Sequence, residues 1–251
     1  EYLRELLYDK GVLQKHYEWI ESLRKSVKLP NVLLPTCLTA EKYGYRWEGG
    51  CSGMDNTPRG RTTEHAQGQR PNNPEMLWID AICQQALSAD IISEMFALVG
   101  DAENAELWRA RYDEKKDIIN SVYWDEEDGF YYDVDRRDHS FYKVMTTASY
   151  WALTSGVASG EQAEKLALRV DEPETMGGDV PLLSLSRSDN DFESDGLYWR
   201  GSLWIPTAYA SLCGLVRYGF YDVAHRAGVK ILEHMYKTYT DYEPPTIWEC
   251  Y

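Results

Sequence analysis

The sequence predicts an all-α fold in two layers, with inner helices walled by outer ones, and three observations predict it. Two segments, 75–99 and 201–218, are apolar nearly all round, which is the pattern of a helix buried by neighbours on several sides. Each is followed closely by an amphipathic segment, 102–121 and 221–237. This repeated order, an apolar helix and then an amphipathic one, is that of a two-layered helical toroid.

The elements follow in order. Residues 1–26 place Leu3, Leu6, Leu7, Leu13, Tyr17 and Ile20 at amphipathic helical spacing. The apolar helix over 75–99 contains a lone buried acid, Asp80. Gly100 stops it, and Asp101 caps a charged amphipathic helix over 102–121. Trp124–Asp133 reads as a turn with a short strand, a small β-hairpin on one rim. Helices are predicted over 143–155 and 160–170, then over 201–218 up to Gly219. The last, over 221–237, sets Val223, Ala227, Ile231 and Met235 on one stripe. These make about seven helices, fewer than the twelve of a closed barrel of six hairpins, so the chain reads as a partial barrel. No low-complexity linker divides it, and residues 1–251 read as one domain.

Composition limits the function. The chain has 43% hydrophobic and 27% charged residues, enough for a core and a solvated surface. Its nine Trp and nineteen Tyr stand against five Phe, a balance suited to wet concave surfaces such as those that stack sugar rings. Large helical proteins also carry such residues. A net charge of −15 repels phosphate backbones and anionic membrane surfaces, so nucleic acid is not an expected partner. No apolar stretch approaches the roughly 20 residues of a membrane span. The first residues read as the middle of a helix, without a Met or a signal-peptide core, so compartment stays open. Five Cys in no C-x-x-C arrangement and no His-paired spacing point to no metal. Cys83 and Cys213 fall in apolar helices as core thiols.

Three long polar segments, 28–74, 124–142 and 171–200, lie between helices, and such loops in compact domains are usually functional. In the first, Gly49, Gly50, Gly53 and Pro58 surround Asp55, close to Trp47 and Met54. Desolvation favours the neutral form of a carboxyl, the form a general acid needs. Asp55 and Asn56 also fit an Asx turn before Pro58. In YWRGSLW, at the start of the 201–218 helix, Tyr198, Trp199 and Trp204 can line a cavity. Arg200 there can bind sugar hydroxyls or pair with Asp80. At the end of the chain Glu249 sits between Trp248 and Tyr251 after Pro244-Pro245, placed to polarise a water. Two carboxylates in aromatic, loop-borne settings fit glycoside hydrolysis, where one protonates the leaving oxygen and the other acts opposite.

The segments GMDNTPR, LWIDAICQQALSADIISEMFALVGD, WDEEDGFYYD, VPLLSLSRSD, YWRGSLW and IWECY, in that order over about residues 40–251, resemble successive motifs of glycoside hydrolase family 63 and its trehalase-like relatives. The resemblance implies an (α/α)6 toroid and an inverting mechanism on α-linked glucosides or mannosides of small oligosaccharides. Trehalase, glycosylglycerate hydrolase and non-catalytic sugar binding are the alternatives. It carries the general acid onto Asp55 and the general base onto Glu249. Trp47, Asn56, Arg59, Tyr198, Trp199, Arg200, Trp204 and Trp248 are then the expected substrate-binding residues. A small carbohydrate is the expected partner, with no cofactor.

The chain departs from the pattern at Gly60, where many members carry Trp, and in the RTTEHAQGQRPNNP stretch, where Arg61, His65 and Arg70 read as a solvated loop. IDAICQ keeps Asp80 where DLNA is commoner. The resemblance also implies early helices and a closing C-terminal helix that this sequence does not contain. His16, His225 and His234 read as solvent-facing. Residues 188–196 lack the sixth-position glycine of a calcium loop and read as solvated and acidic.

Overall fold

The computed structural model describes residues 1–22, 38–47, 52–61 and 73–251. At the start, α1 (Tyr2–Arg4) runs into π-helical turns over Glu5–Lys10, and α2 (Val12–Ser22) follows. The single helix predicted over 1–26 is therefore broken, because Gly11 takes a left-handed φ of 55°. Its predicted end at 23–26 lies outside the described residues. Strands β1 (Leu38–Glu41) and β2 (Gly44–Trp47) form an antiparallel hairpin.

The apolar helix begins later than its pattern suggests. Met76–Leu77 form β3, which pairs with Val134 and Asp135, and α3 spans Ile79–Leu98. Apolar residues cannot by themselves distinguish a buried strand from a buried helical turn. Gly100, at φ 82°, ends α3. Asp101 caps α4 (Ala102–Ile118) through its side chain on the Asn104 N–H, and π-helical turns continue over Ile119–Tyr123. The segment 124–142 holds more strand than the single hairpin predicted. β4 (Trp124–Asp125) pairs with β5 (Phe130–Tyr131), and β6 (Asp133–Asp135) pairs with β7 (Phe141–Tyr142) and with β3.

The helix predicted over 143–155 shortens to a 3₁₀ turn at Thr147–Tyr150 and α5 (Trp151–Thr154). α6 (Gly160–Arg169) starts with a capping box: Ser159 accepts from the Gln162 N–H, and the Gln162 side chain accepts from the Ser159 N–H. The helix predicted over 201–218 begins at Ile205, so α7 spans Ile205–Arg217 and α8 spans Tyr221–Asp241.

Helices α3, α5 and α7 lie side by side, and α4 and α8 pack outside α3 and α7. This is the inner-and-outer alternation that the sequence predicts. One buried cluster runs through it, including Ile82, Phe96, Tyr123, Phe130, Leu153 and Leu215. Each large apolar side chain fully buried there contributes about 1.5–3 kcal/mol. α7 is less enclosed than its composition implies, since Tyr209 and Val216 stand exposed. Cys83 is buried, whereas Cys213 is half-buried rather than a core thiol. No helix among the described residues is long and apolar enough to cross a membrane.

Candidate active site

The loop bearing Asp55 is two tight turns. The Thr57 N–H donates to the Met54 carbonyl and the Arg61 N–H donates to that of Pro58. Gly60 lies at φ 68°, and a Cβ there would sit 2.8 Å from the Met76 sulfur. Glycine adopts that left-handed φ readily, at a position where many members of the resembled family carry Trp. Asp55 is half-buried within the loop.

Side chains of the loop itself fasten it to the rest of the molecule, and the Asn73 amide donates to the Gly60 carbonyl at 3.2 Å. Arg59 is fully buried; Nη1 and Nη2 donate to Asp80 at 2.8 and 3.1 Å, and Nε and Nη2 donate to Asp133 at 2.8 and 2.7 Å. Its guanidinium also lies 4.6 Å from the Trp78 ring. Burial opposes its charge, but Asp133 and then Asp80 outweigh that and hold it protonated. Burial pushes the Asp133 carboxyl up, against the opposing pull of Arg59. The Asp133 carboxylate also accepts the free N–H of Ile79 at the start of α3, where negative charge is favoured. Arg59 therefore props the loop from beneath instead of facing an open surface. The alternative of an Arg200–Asp80 pair is replaced by Arg59–Asp80.

The second tie is Asn56. Its Nδ2 donates to the Leu197 carbonyl at 2.8 Å, and its Oδ1 accepts from the Trp199 N–H at 2.8 Å. Its amide thus reaches across to the YWRG segment and not to a local Asx turn. The third tie is Arg61, which pairs with Asp189 at 3.1 Å and with Asp191. Arg61 and the 188–196 loop are thus engaged with each other, not freely solvated. Residues 65 and 70 lie outside the described residues.

Arg200 is buried; it donates through Nε to the Asp191 carbonyl at 2.9 Å and pairs with the Asp191 carboxylate at 3.2 Å. Asp191 therefore bridges Arg61 and Arg200. Gly201 follows, and a Cβ there would lie 2.3 Å from the Glu193 carbonyl, so no other residue fits. Trp199 and Trp204 stack in parallel, with centroids 3.9 Å apart and planes 5° apart, and Tyr198 meets Trp204 edge-on at 5.0 Å. Met54 and Ala148 pack on the stacked pair, with Cys250 against them.

The tail bearing Glu249 is fixed at its end. The Tyr251 N–H donates to the Leu203 carbonyl at 3.0 Å and the Leu203 N–H returns a bond at 2.6 Å. Glu249 itself is exposed. Trp248 is 43% exposed, sits 5.1 Å from the Tyr242 ring, and lines a cleft of about 420 Å³ with His234, Lys237, Asp241 and Tyr251. His234 is not simply solvent-facing: it meets Tyr251 edge-on at 6.3 Å, and burial and then Lys237 push its imidazole down. Trp47 is half-buried at the end of β2 and packs on the main core, not on the Trp199–Trp204 pair.

No motif in the sequence singles out Asp133, Asp189 or Asp191 as a partner. Asp133 carried a usable signal, an acid among apolar residues of a strand, where burial requires a cation. Among the described residues, no group of three or more His, Cys, Asp or Glu could hold a metal ion.

Known proteins resemble this chain in sequence and in fold. The chain is 31% identical over 138 residues to the mannosylglycerate hydrolase of Rubrobacter radiotolerans, a match covering 54% of this chain and 30% of that one. It is 26% identical over 241 residues to the mannosyl-oligosaccharide glucosidase of Saccharomyces cerevisiae, covering 89% of this chain and 27% of that one. The chain thus spans less than a third of either relative. The crystal structure of a mannosylglycerate hydrolase from Thermus thermophilus with glucose superposes with a TM-score of 0.56 at 24% identity, over 64% of this chain and 38% of that one. The likeness shows the fold to be a partial α/α toroid. The model of the mannosylglycerate hydrolase MGH1-like glycoside hydrolase domain matches residues 8–251. With nearly its whole length matched, the chain belongs to that glycoside hydrolase family.

Proposed function

We propose that the protein is an inverting glycoside hydrolase acting on a small α-linked glucoside or mannoside, with Asp55 as general acid and Glu249 as general base. The observation that carries this reading is a shared wall. Met54, beside Asp55, and Cys250, beside Glu249, both pack on the stacked Trp199–Trp204 pair. Two carboxylates whose neighbours meet on one buried aromatic cluster suit a sugar ring held between them, with a water opposite the leaving oxygen.

In this mechanism Asp55 protonates the glycosidic oxygen as the bond to the anomeric carbon breaks. Glu249 takes a proton from the water that attacks the opposite face, which inverts the anomeric centre. An inverting pair requires about 6.5–9.5 Å between carboxyls, room for that water. Exposed Tyr198 and Trp248 supply aromatic surface, the buried Trp199–Trp204 pair backs Tyr198, and Arg200 stiffens that base through Asp191. The mannosylglycerate hydrolases among the relatives make mannosylglycerate the first substrate to try, and the resemblance to trehalase-like enzymes adds trehalose.

Turnover of these glycosides by Asp55→Asn tests the assignment. The expected loss is about 10²–10⁴-fold in kcat, the usual scale of general acid catalysis, with binding of the sugar retained in calorimetry. Near-normal turnover by the variant would refute Asp55 as the acid.

A further inference from the structure

The backbone at Leu197 and Tyr198 is held against its preference. Their φ angles are 30° and 67°, both in the left-handed region, where non-glycine residues are uncommon because Cβ crowds the neighbouring carbonyl. Core packing does not hold them there, since Leu197 is 50% and Tyr198 42% exposed. One carboxamide brackets the strained turn: Asn56 Nδ2 donates to the Leu197 carbonyl and Asn56 Oδ1 accepts from the Trp199 N–H, both at 2.8 Å. The two partners fix which amide atom points where, because a flipped amide would set N–H against N–H. A further bond, from Trp204 Nε1–H to the Tyr198 carbonyl at 3.1 Å, ties the turn to the stacked tryptophans.

Strained backbone at an exposed aromatic, fixed by the residue that follows Asp55, is the kind of outlier that collects at functional sites. We infer that Asn56 is a positioning residue rather than a sugar contact: it locks the Asp55 loop to the Tyr198 turn, so that acid and aromatic platform are held in one frame. This rests on the reading of Asp55 as the general acid. Both Asn56 polar atoms already have a backbone partner, which fixes the amide's orientation and leaves one N–H and one lone pair over. The Tyr198 ring stands edge-on to Trp204 and the residue is exposed, which makes it available to a sugar ring.

The test combines kinetics with amide hydrogen exchange in Asn56→Ala, alone and with Leu197→Gly. Glycine adopts the left-handed region readily, so it can carry the turn without the clamp. For Asn56→Ala, kcat is expected to fall about 10- to 100-fold with KM nearly unchanged, the scale of a small misplacement of a reacting group. The Trp199 amide, having lost its acceptor, is expected to exchange roughly 10-fold faster as local opening becomes easier. Adding Leu197→Gly should recover most of the lost kcat. A rise in KM alone without recovery by glycine would make Asn56 a sugar contact and overturn the inference. Unchanged kcat, or unchanged exchange at Trp199, would overturn it as well. If Asn56→Ala alone does not fold, folding restored by Leu197→Gly supports the clamp, and failure of both variants contradicts it. Exchange at Trp199 reads the clamp whether or not any α-glycoside is hydrolysed, so failure of the activity and failure of the clamp are told apart.

Discussion

A guanidinium with no exposed surface needs its charge answered from within, and Arg59 has two carboxylates and an indole face to do so. Removing the arginine leaves Asp80 and Asp133 facing each other in a site water does not reach. Breaking a buried pair in this way costs about 3–5 kcal/mol, much more than losing an exposed one. Arg59→Met is therefore expected to lower stability by that amount in urea unfolding. A loss under about 1 kcal/mol would mean that the two acids find other partners. Through Arg59 the geometry of the Asp55 loop depends on the start of α3 and on β6. An effect of Arg59 on turnover is thus expected to act through position, as no part of its side chain is open to a ligand.

At the scale of elements, caps and turn residues were the most legible signals. Asp101 accepts from the Asn104 N–H, and Gly100 takes the left-handed φ that its place after α3 requires. Ser159, which local pattern alone did not single out, closes the start of α6 through a reciprocal pair of bonds with Gln162. Ser159→Ala is expected to cost about 1 kcal/mol by the usual scale of N-caps, read as a lowered midpoint of thermal unfolding. No shift would show that water replaces the hydroxyl without loss. The starts of α3, α5 and α7 were not legible, for one physical reason. Residues 76–77, 144–146 and 202–204 are mostly apolar or small and, apart from half-buried Met145, buried in extended or irregular backbone, and hydrophobic pattern registers burial without conformation. The candidate site was legible where motifs fixed residue identity, as at Asp55, Trp199 and Trp204. It was not legible where partners were chosen by folding, as with Arg59 on Asp80 and Asp133 or Arg61 on Asp189 and Asp191.

For the molecule as a whole, the layers are joined by charge as well as by apolar contact. Asp90, buried on α3, pairs with Arg109 of α4 at 2.6 Å and with Arg217 of α7 at 2.8 Å. One carboxylate thus ties the outer helix of the first hairpin to the inner helix of the last. Asp90→Asn, which keeps the shape and removes the charge, is expected to cost about 1.5–3 kcal/mol, the scale of hydrogen bonds to charged groups. The slope of the urea transition should stay the same, showing that cooperativity between the hairpins survives; a shallower slope would show that they uncouple. The same assembly brings the loop of residues 52–61 and the final residues to the segment 197–204, and the proposed chemistry depends on that meeting. Its most direct test is proton NMR of the anomeric signals while the protein hydrolyses an α-glucoside, trehalose or mannosylglycerate. With inversion, the β-anomer of the released sugar appears first and the α-anomer only later, by mutarotation. Initial release of the α-anomer, or no hydrolysis of any α-glycoside, would contradict the proposed chemistry.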